Sequence, residues 1–202
     1  MKLNLKKFNF KKALKVLGGL LLVDLIYLNI ILPVALSTKQ IYLIAENVVA
    51  IIPGAEIPEE YIVISAHLDH VGVKNGQIYN GADDDGSGNV AMLEIAEAFQ
   101  MAVKEGNRPK RSIIFLHVTG EEKGLLGSRY YTENPLYPLE NTVANLNIDM
   151  IGRLDPKRVN KDPNYIYLIG SDKLSNELHE VSERINRTYT NLILDYTFNA
   201  DN

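Results

Sequence analysis

The chain has 202 residues, 46% of them hydrophobic and 23% charged, with a formal net charge of −4 and no cysteine. That length supports one compact domain with a sizeable core, and the composition excludes a disordered chain. The lack of cysteine excludes disulfides, thiolate metal sites and a cysteine nucleophile. Neither charge nor motif points to a nucleic-acid partner.

The charge is uneven. Met1 to Lys15 holds six lysines and no acid, which leaves 15 basic residues against 25 acidic ones in the remainder. An acidic body suits a site that gathers cations, although most surface carboxylates simply face water. Val16 to Leu36 is largely apolar. A basic start followed by such a stretch reads as a signal peptide or membrane anchor. On that reading the protein is extracytoplasmic: secreted, periplasmic or membrane-anchored. Ala35 and Ser37 are small residues spaced like a cleavage site. Asp24 opposes the reading, because an aspartate at mid-membrane costs about 2.5–3.5 kcal/mol, and Asn29 and Pro33 weaken it further. The alternative is a short helix over Lys11 to Leu17 and an entry strand from Leu25 to Leu32. Residues 1–40 are therefore set apart from residues 41–202.

Beyond that segment, apolar runs alternate with helical patterns. "NVVAIIP" (Asn47 to Pro53) and "EYIVISAH" (Glu60 to His67) read as strands. Gly86 to Glu105 reads as a helix capped by Ser87, with Val90, Leu93, Ile95, Ala96 and Phe99 near 3.6-residue spacing. Strands follow over Arg111 to Val118, Asn141 to Met150 and Asn164 to Gly170. Ser171 to Arg187 reads as a helix capped by Ser171, with Leu174, Leu178, Val181 and Ile185 on one face. Short apolar strands alternating with helices indicate an α/β domain with a mixed, mostly parallel sheet flanked by helices.

In such sheets ligands bind beyond the carboxyl ends of the strands. Three strands here end in metal-ligand types. "SAHLDHVG" brings His67, Asp69 and His70; "VTGEEKGLLGS" brings Glu121 and Glu122; "NLNIDMIGR" brings Asp149. "NGADDDGSG" places Asp83, Asp84 and Asp85 just before a helix. Each alone has an ordinary reading: a chance His-x-Asp, a helix cap, a solvated carboxylate pair, a capped turn. Together on one sheet edge they form the inventory of metal-assisted hydrolysis. Imidazole and carboxylate suit zinc, a bridging carboxylate can serve two metals, and a separate carboxylate must take a proton from water. Glu121 and Glu122 could divide the last two tasks, one as base and one as ligand. Asp69 could hydrogen-bond the His67 imidazole and fix its tautomer.

The four stretches, "SAHLDHVG", "NGADDDGSGNVAMLEIA", "VTGEEKGLLGS" and "NLNIDMIGR", resemble the four successive motifs of the M28 zinc aminopeptidases. The resemblance is strongest from Glu46 to Arg153. It implies an aminopeptidase-like α/β fold over residues 41–202 and a site for two Zn²⁺ ions acting on peptides. His67 and Asp149 would bind one zinc, Asp84 would bridge, and Glu122 would bind the second. Asp69 would orient His67, and Glu121 would be the general base and acid. A cis peptide after Asp84 is also implied.

One part of the family pattern is missing. The family's further histidine ligand, in a Ser-Asp-His motif, has no match before the chain stops at "YTFNADN". Of the other histidines, His70 is common in the motif without being a regular ligand, His117 reads as a core or sheet-face residue, and His179 as a solvated one. The expectation is a catalytic domain lacking its C-terminal part, with apolar sheet surface left uncovered. Two alternatives to the aminopeptidase follow: a non-catalytic peptidase-like binding domain, and a single-zinc acyl transferase resembling glutaminyl cyclases. Loop Gly152 to Asn164, with Arg153, Lys157, Arg158 and Lys161, is either a substrate rim favouring acidic groups or a solvated loop.

Overall fold

The computed structural model describes residues 45–199. The basic and apolar N-terminal segment, with its signal, anchor and entry-strand readings, lies outside the described residues. Among the described residues no helix is long and apolar enough to cross a membrane.

β1 (Val48–Ile52) and β2 (Ile57–His67) come first. A hairpin of β3 (Gly72–Lys74) and β4 (Gln77–Tyr79) follows. Its turn residues Asn75 and Gly76 have φ of 54° and 76°, as a two-residue hairpin turn requires. α1 (Gly86–Lys104) is capped by Asp85, whose side chain accepts from the Gly88 amide. Ser87, the expected cap, lies inside the first turn, and its hydroxyl donates to the Asp83 carbonyl (2.7 Å). The reason is reach: a cap accepts from the amide three residues on, and here Asp85 holds that place. β5 (Arg111–Val118), α2 (Leu126–Glu133) and β6 (Thr142–Asn147) complete the central layers.

The main sheet has the order β1-β5-β2-β6. β1 runs antiparallel to β5, while β2 is parallel to both β5 and β6. This is the mixed, mostly parallel sheet flanked by helices that the sequence patterns predict. Successive residues point to opposite faces, so the sheet has two cores. Ile52, Ile64, Ala66, Ile113 and Phe115 pack with Met92, Ile95 and Phe99 of α1. Val63, Ile114, Leu116 and Val118 pack on the other face with Tyr131 of α2. Burial on both faces explains the unbroken apolar runs of β2 and β5.

The remaining elements depart from expectation. The strand expected over Asn164–Gly170 is β7 (Tyr165–Tyr167), which pairs in parallel with β8 (Ile193–Asp195) in a separate two-stranded sheet. The helix expected over Ser171–Arg187 is split into α3 (Ser171–Leu174) and α4 (Asn176–Ile185). Ser175 between them is extended (φ −160°, ψ 116°), and its side chain caps α4 by accepting from the Leu178 amide. Gly170, not Ser171, holds the N-cap position of α3.

Candidate metal centre

Register places the ligand-bearing residues side by side. His67 ends β2 opposite Val118 of β5, and Ser65 lies opposite Asn147 of β6. Beyond those pairs the Leu68 amide donates to the Val118 carbonyl (2.7 Å), and the Ile148 amide to the Ser65 carbonyl (2.8 Å). Three parallel strands thus end together. Just past their ends come Asp69, the Glu121-Glu122 turn and Asp149, with the start of α1 alongside.

His67 is buried, with 3% exposure, and its Nε2 lies 3.0 Å from Asp84 Oδ1 and 3.9 Å from Asp149 Oδ1. One atom from each of His67, Asp84 and Asp149 lies within 4.8 Å of the others. His67 Nδ1 is 2.9 Å from the backbone carbonyl of Asp69 and 3.8 Å from its carboxylate. A carbonyl only accepts, so Nδ1 carries the hydrogen and Nε2 of the neutral ring offers a lone pair. Asp69 therefore holds the imidazole through its backbone. Its carboxylate instead accepts from the Glu121 amide (2.9 Å) and the Glu122 amide (3.1 Å). Both glutamates follow Gly120 at φ 67°, a left-handed turn that glycine adopts without strain. Glu122 lies outside the three-residue cluster, but its Oε1 is buried without a hydrogen-bond partner.

Asp85, which the sequence places in the Asp83–Asp85 run without a role of its own, ties the site together. Asp85 is 1% exposed, and its carboxylate accepts from the amides of His67 (3.1 Å), Gly88 (3.0 Å) and Met150 (3.4 Å). It links the segments carrying His67, Asp84 and Asp149. A Cβ on Gly88 would overlap that carboxylate and the Ile148 carbonyl. The Asp84–Asp85 peptide is cis, as the motif resemblance implies.

The electrostatics call for a cation. Burial alone would lower the His67 pKa, but the Asp69 carbonyl and the charges of Asp85, Asp149 and Glu121 outweigh it and raise it. Partial desolvation, then the charge of Asp85, push the Asp149 carboxyl up against the pull of His67. A lone pair facing two carboxylates needs a proton or a metal between them. The orphaned, buried Glu122 Oε1 fits the same demand, since buried polar atoms are nearly always paired. The donor set of imidazole and carboxylates matches zinc.

The other histidines are engaged elsewhere. His70 Nδ1 accepts from the Gly72 amide at 3.0 Å. His117 Nδ1 lies 2.6 Å from Asn89 Oδ1. His179 Nδ1 lies 3.0 Å from Ser171 Oγ, and its ring packs against Tyr196. In the loop after Asp149, Arg158 does not form a substrate rim. It is 7% exposed, pairs with Asp195 at 2.7 Å, and its guanidinium stacks 3.8 Å from the Tyr165 ring centre. Its charge is neutralised inside the fold.

A metal-binding α/β domain is the class that this sheet edge and this cluster define. A family model described as peptidase family M28 matches residues 47–201. The "Aminopeptidase NAALADL1" of Mus musculus is 40% identical over 108 residues, covering 52% of this chain and 14% of that protein. A "Probable zinc metalloprotease" of Pyrenophora teres f. teres is 33% identical over 144 residues, covering 69% of this chain and 28% of that protein. The crystal structure of a zinc aminopeptidase from Bacillus subtilis superimposes with a TM-score of 0.53 at 28% identity, over 74% of this chain and 33% of that one. The chain belongs to peptidase family M28. It spans only 14–28% of the length of these two curated relatives.

Proposed function

We propose that the chain carries the catalytic centre of a zinc metallopeptidase, an aminopeptidase that releases N-terminal residues from peptides. The observation that supports this best is the His67–Asp84–Asp149 cluster, with the Glu121-Glu122 turn tied to the same strand end through Asp69. His67 and Asp149 would hold one zinc and Glu122 a second, with Asp84 shared. Bound zinc supplies Lewis acidity that polarises the scissile carbonyl and makes water a better nucleophile near neutral pH. The protein supplies the rest. Glu121 accepts the proton of the attacking water as its oxygen joins the carbonyl carbon. It then delivers that proton to the amine nitrogen as the C–N bond breaks. Asp69 keeps Glu121 and His67 in fixed relation. The aminopeptidase assignment leans on the names of relatives, and an extracytoplasmic location on the basic-then-apolar N-terminal segment.

The test is Glu121→Gln. The variant should keep its zinc and lose turnover by about 10²–10⁴-fold. Retained turnover would overturn the role of Glu121. No hydrolysis by the zinc-loaded wild type across a broad peptide panel would favour a binding domain. One zinc per chain with cyclisation of N-terminal glutamine would favour the acyl-transferase reading.

A further inference from the structure

We infer that Asn89 and His117 form a half-buried polar strut that fixes His67 against the Asp84–Asp85 peptide, making both of them positioning residues of the metal centre. The strut itself rests on geometry, while its purpose rests on the metallopeptidase reading.

Asn89 lies in the first turns of α1, and its Nδ2 reaches the backbone carbonyls of His67 (2.5 Å) and Asp85 (2.7 Å). Both partners are acceptors, so the amide orientation is determined and both of its hydrogens are used. Oδ1 then faces His117 Nδ1 at 2.6 Å, and that ring nitrogen must carry the hydrogen. His117 is anchored in the sheet, where it pairs with Ala66 of β2 on one side and Val48 of β1 on the other. A continuous chain of donors thus runs from β5 through Asn89 to the residue before α1 and the last residue of β2.

The result is that His67 is held at both of its peptide groups. Its amide donates to the Asp85 carboxylate and its carbonyl accepts from Asn89. Only the side-chain torsions remain free, and the Nδ1 hydrogen bond to the Asp69 carbonyl removes that freedom. Because Asn89 also grips Asp85, it couples the position of His67 to that of the adjacent Asp84, 3.0 Å from Nε2. His117 is not a member of the cluster, and the Asn89 amide is engaged by two backbone carbonyls and His117. Their effect must appear in how tightly the cluster holds a metal, because partners behind the ligands typically contribute about 10–100-fold in affinity or activity.

The experiment uses the wild type, Asn89→Ala, His117→Phe and the double variant. Zinc affinity is measured by competition with a chromogenic chelator, below the unfolding temperature of each protein. The hydrogen position on His117 is read by ¹⁵N NMR of the metal-free wild type. Asn89→Ala should weaken zinc binding about 10–100-fold, and His117→Phe less. The double variant should bind no more weakly than Asn89→Ala, because the two residues act as one unit. His117 should be protonated on Nδ1. Unchanged zinc affinity in a folded Asn89→Ala, additive losses in the double variant, or a hydrogen on Nε2 of His117 would each overturn the strut. If Asn89→Ala does not fold, His117→Phe and the NMR readout decide. If the wild type binds no zinc, the metallopeptidase reading fails, and the tautomer still shows whether the strut exists.

Discussion

Asp85 and Asp69 are carboxylates whose work is done on backbone amides. Asp85 is buried, which pushes its carboxyl above the ordinary value, while the amides of His67, Gly88 and Met150 pull it back. Asp85→Ala would leave those donors facing an apolar methyl. An unpaired buried donor costs about 1–3 kcal/mol, so urea denaturation should show a loss of about 3 kcal/mol or more. A loss below about 1 kcal/mol would mean that the three segments are held by something else. Asp69 has a divided role: its carbonyl takes His67 Nδ1 and its carboxylate takes the amides of Glu121 and Glu122. Asp69→Ala keeps the carbonyl and removes only the carboxylate. It should therefore lower turnover about 10–100-fold while zinc affinity falls much less, a split that steady-state kinetics and chelator competition can resolve.

Parallel strands explain why so much of the site was legible in the sequence. β2, β5 and β6 run the same way, so polar residues following three apolar runs had to gather at one edge. That logic places His67, Glu121, Glu122 and Asp149 together from the sequence alone, and the helix start brings Asp84. It could not show that Asp69 reaches His67 by its carbonyl, nor that Asp85 serves three amides. Backbone partners leave no spacing signature. Arg158 was misjudged for a related reason: its partner Asp195 lies 37 residues away, and nothing local marks a loop arginine as buried. The hairpin at Asn75-Gly76 carried its usual signal and was missed because its strands are only three residues each. Ser171 and Ser175 are both suitable caps, and the sequence alone does not choose. Capping by Ser175 predicts that Ser175→Ala destabilises α4 by about 0.5–2 kcal/mol. Amide exchange confined to Asn176–Ile185 should report it, and unchanged protection there would argue against the cap.

For the domain as a whole, His67 and His117 set opposite pH limits in the metal-free protein. The His67 pKa is raised above 6.5, so its contribution to stability is complete below 6.5 and is lost as pH rises through the folded value. The His117 pKa is lowered from 6.5 by burial, so its contribution is present above 6.5 and is lost as pH falls through the folded value. The raised carboxyls of Asp85 and Asp149 add to the loss on the alkaline side, beginning above 3.8. Metal-free protein should therefore lose stability in urea titrations as pH rises above 6.5. Zinc, replacing the proton between His67 and its carboxylates, should remove that decline. Stability that rises over this range without metal would contradict the electrostatics. At a free concentration 100 times its Kd, zinc should add about 2.7 kcal/mol. The most direct measurement is zinc retained per chain after dialysis, by elemental analysis, for the wild type and His67→Ala. The wild type should retain zinc and His67→Ala should lose it. A wild type that emerges without zinc, or a His67→Ala variant that retains as much, would contradict a metal centre built on His67.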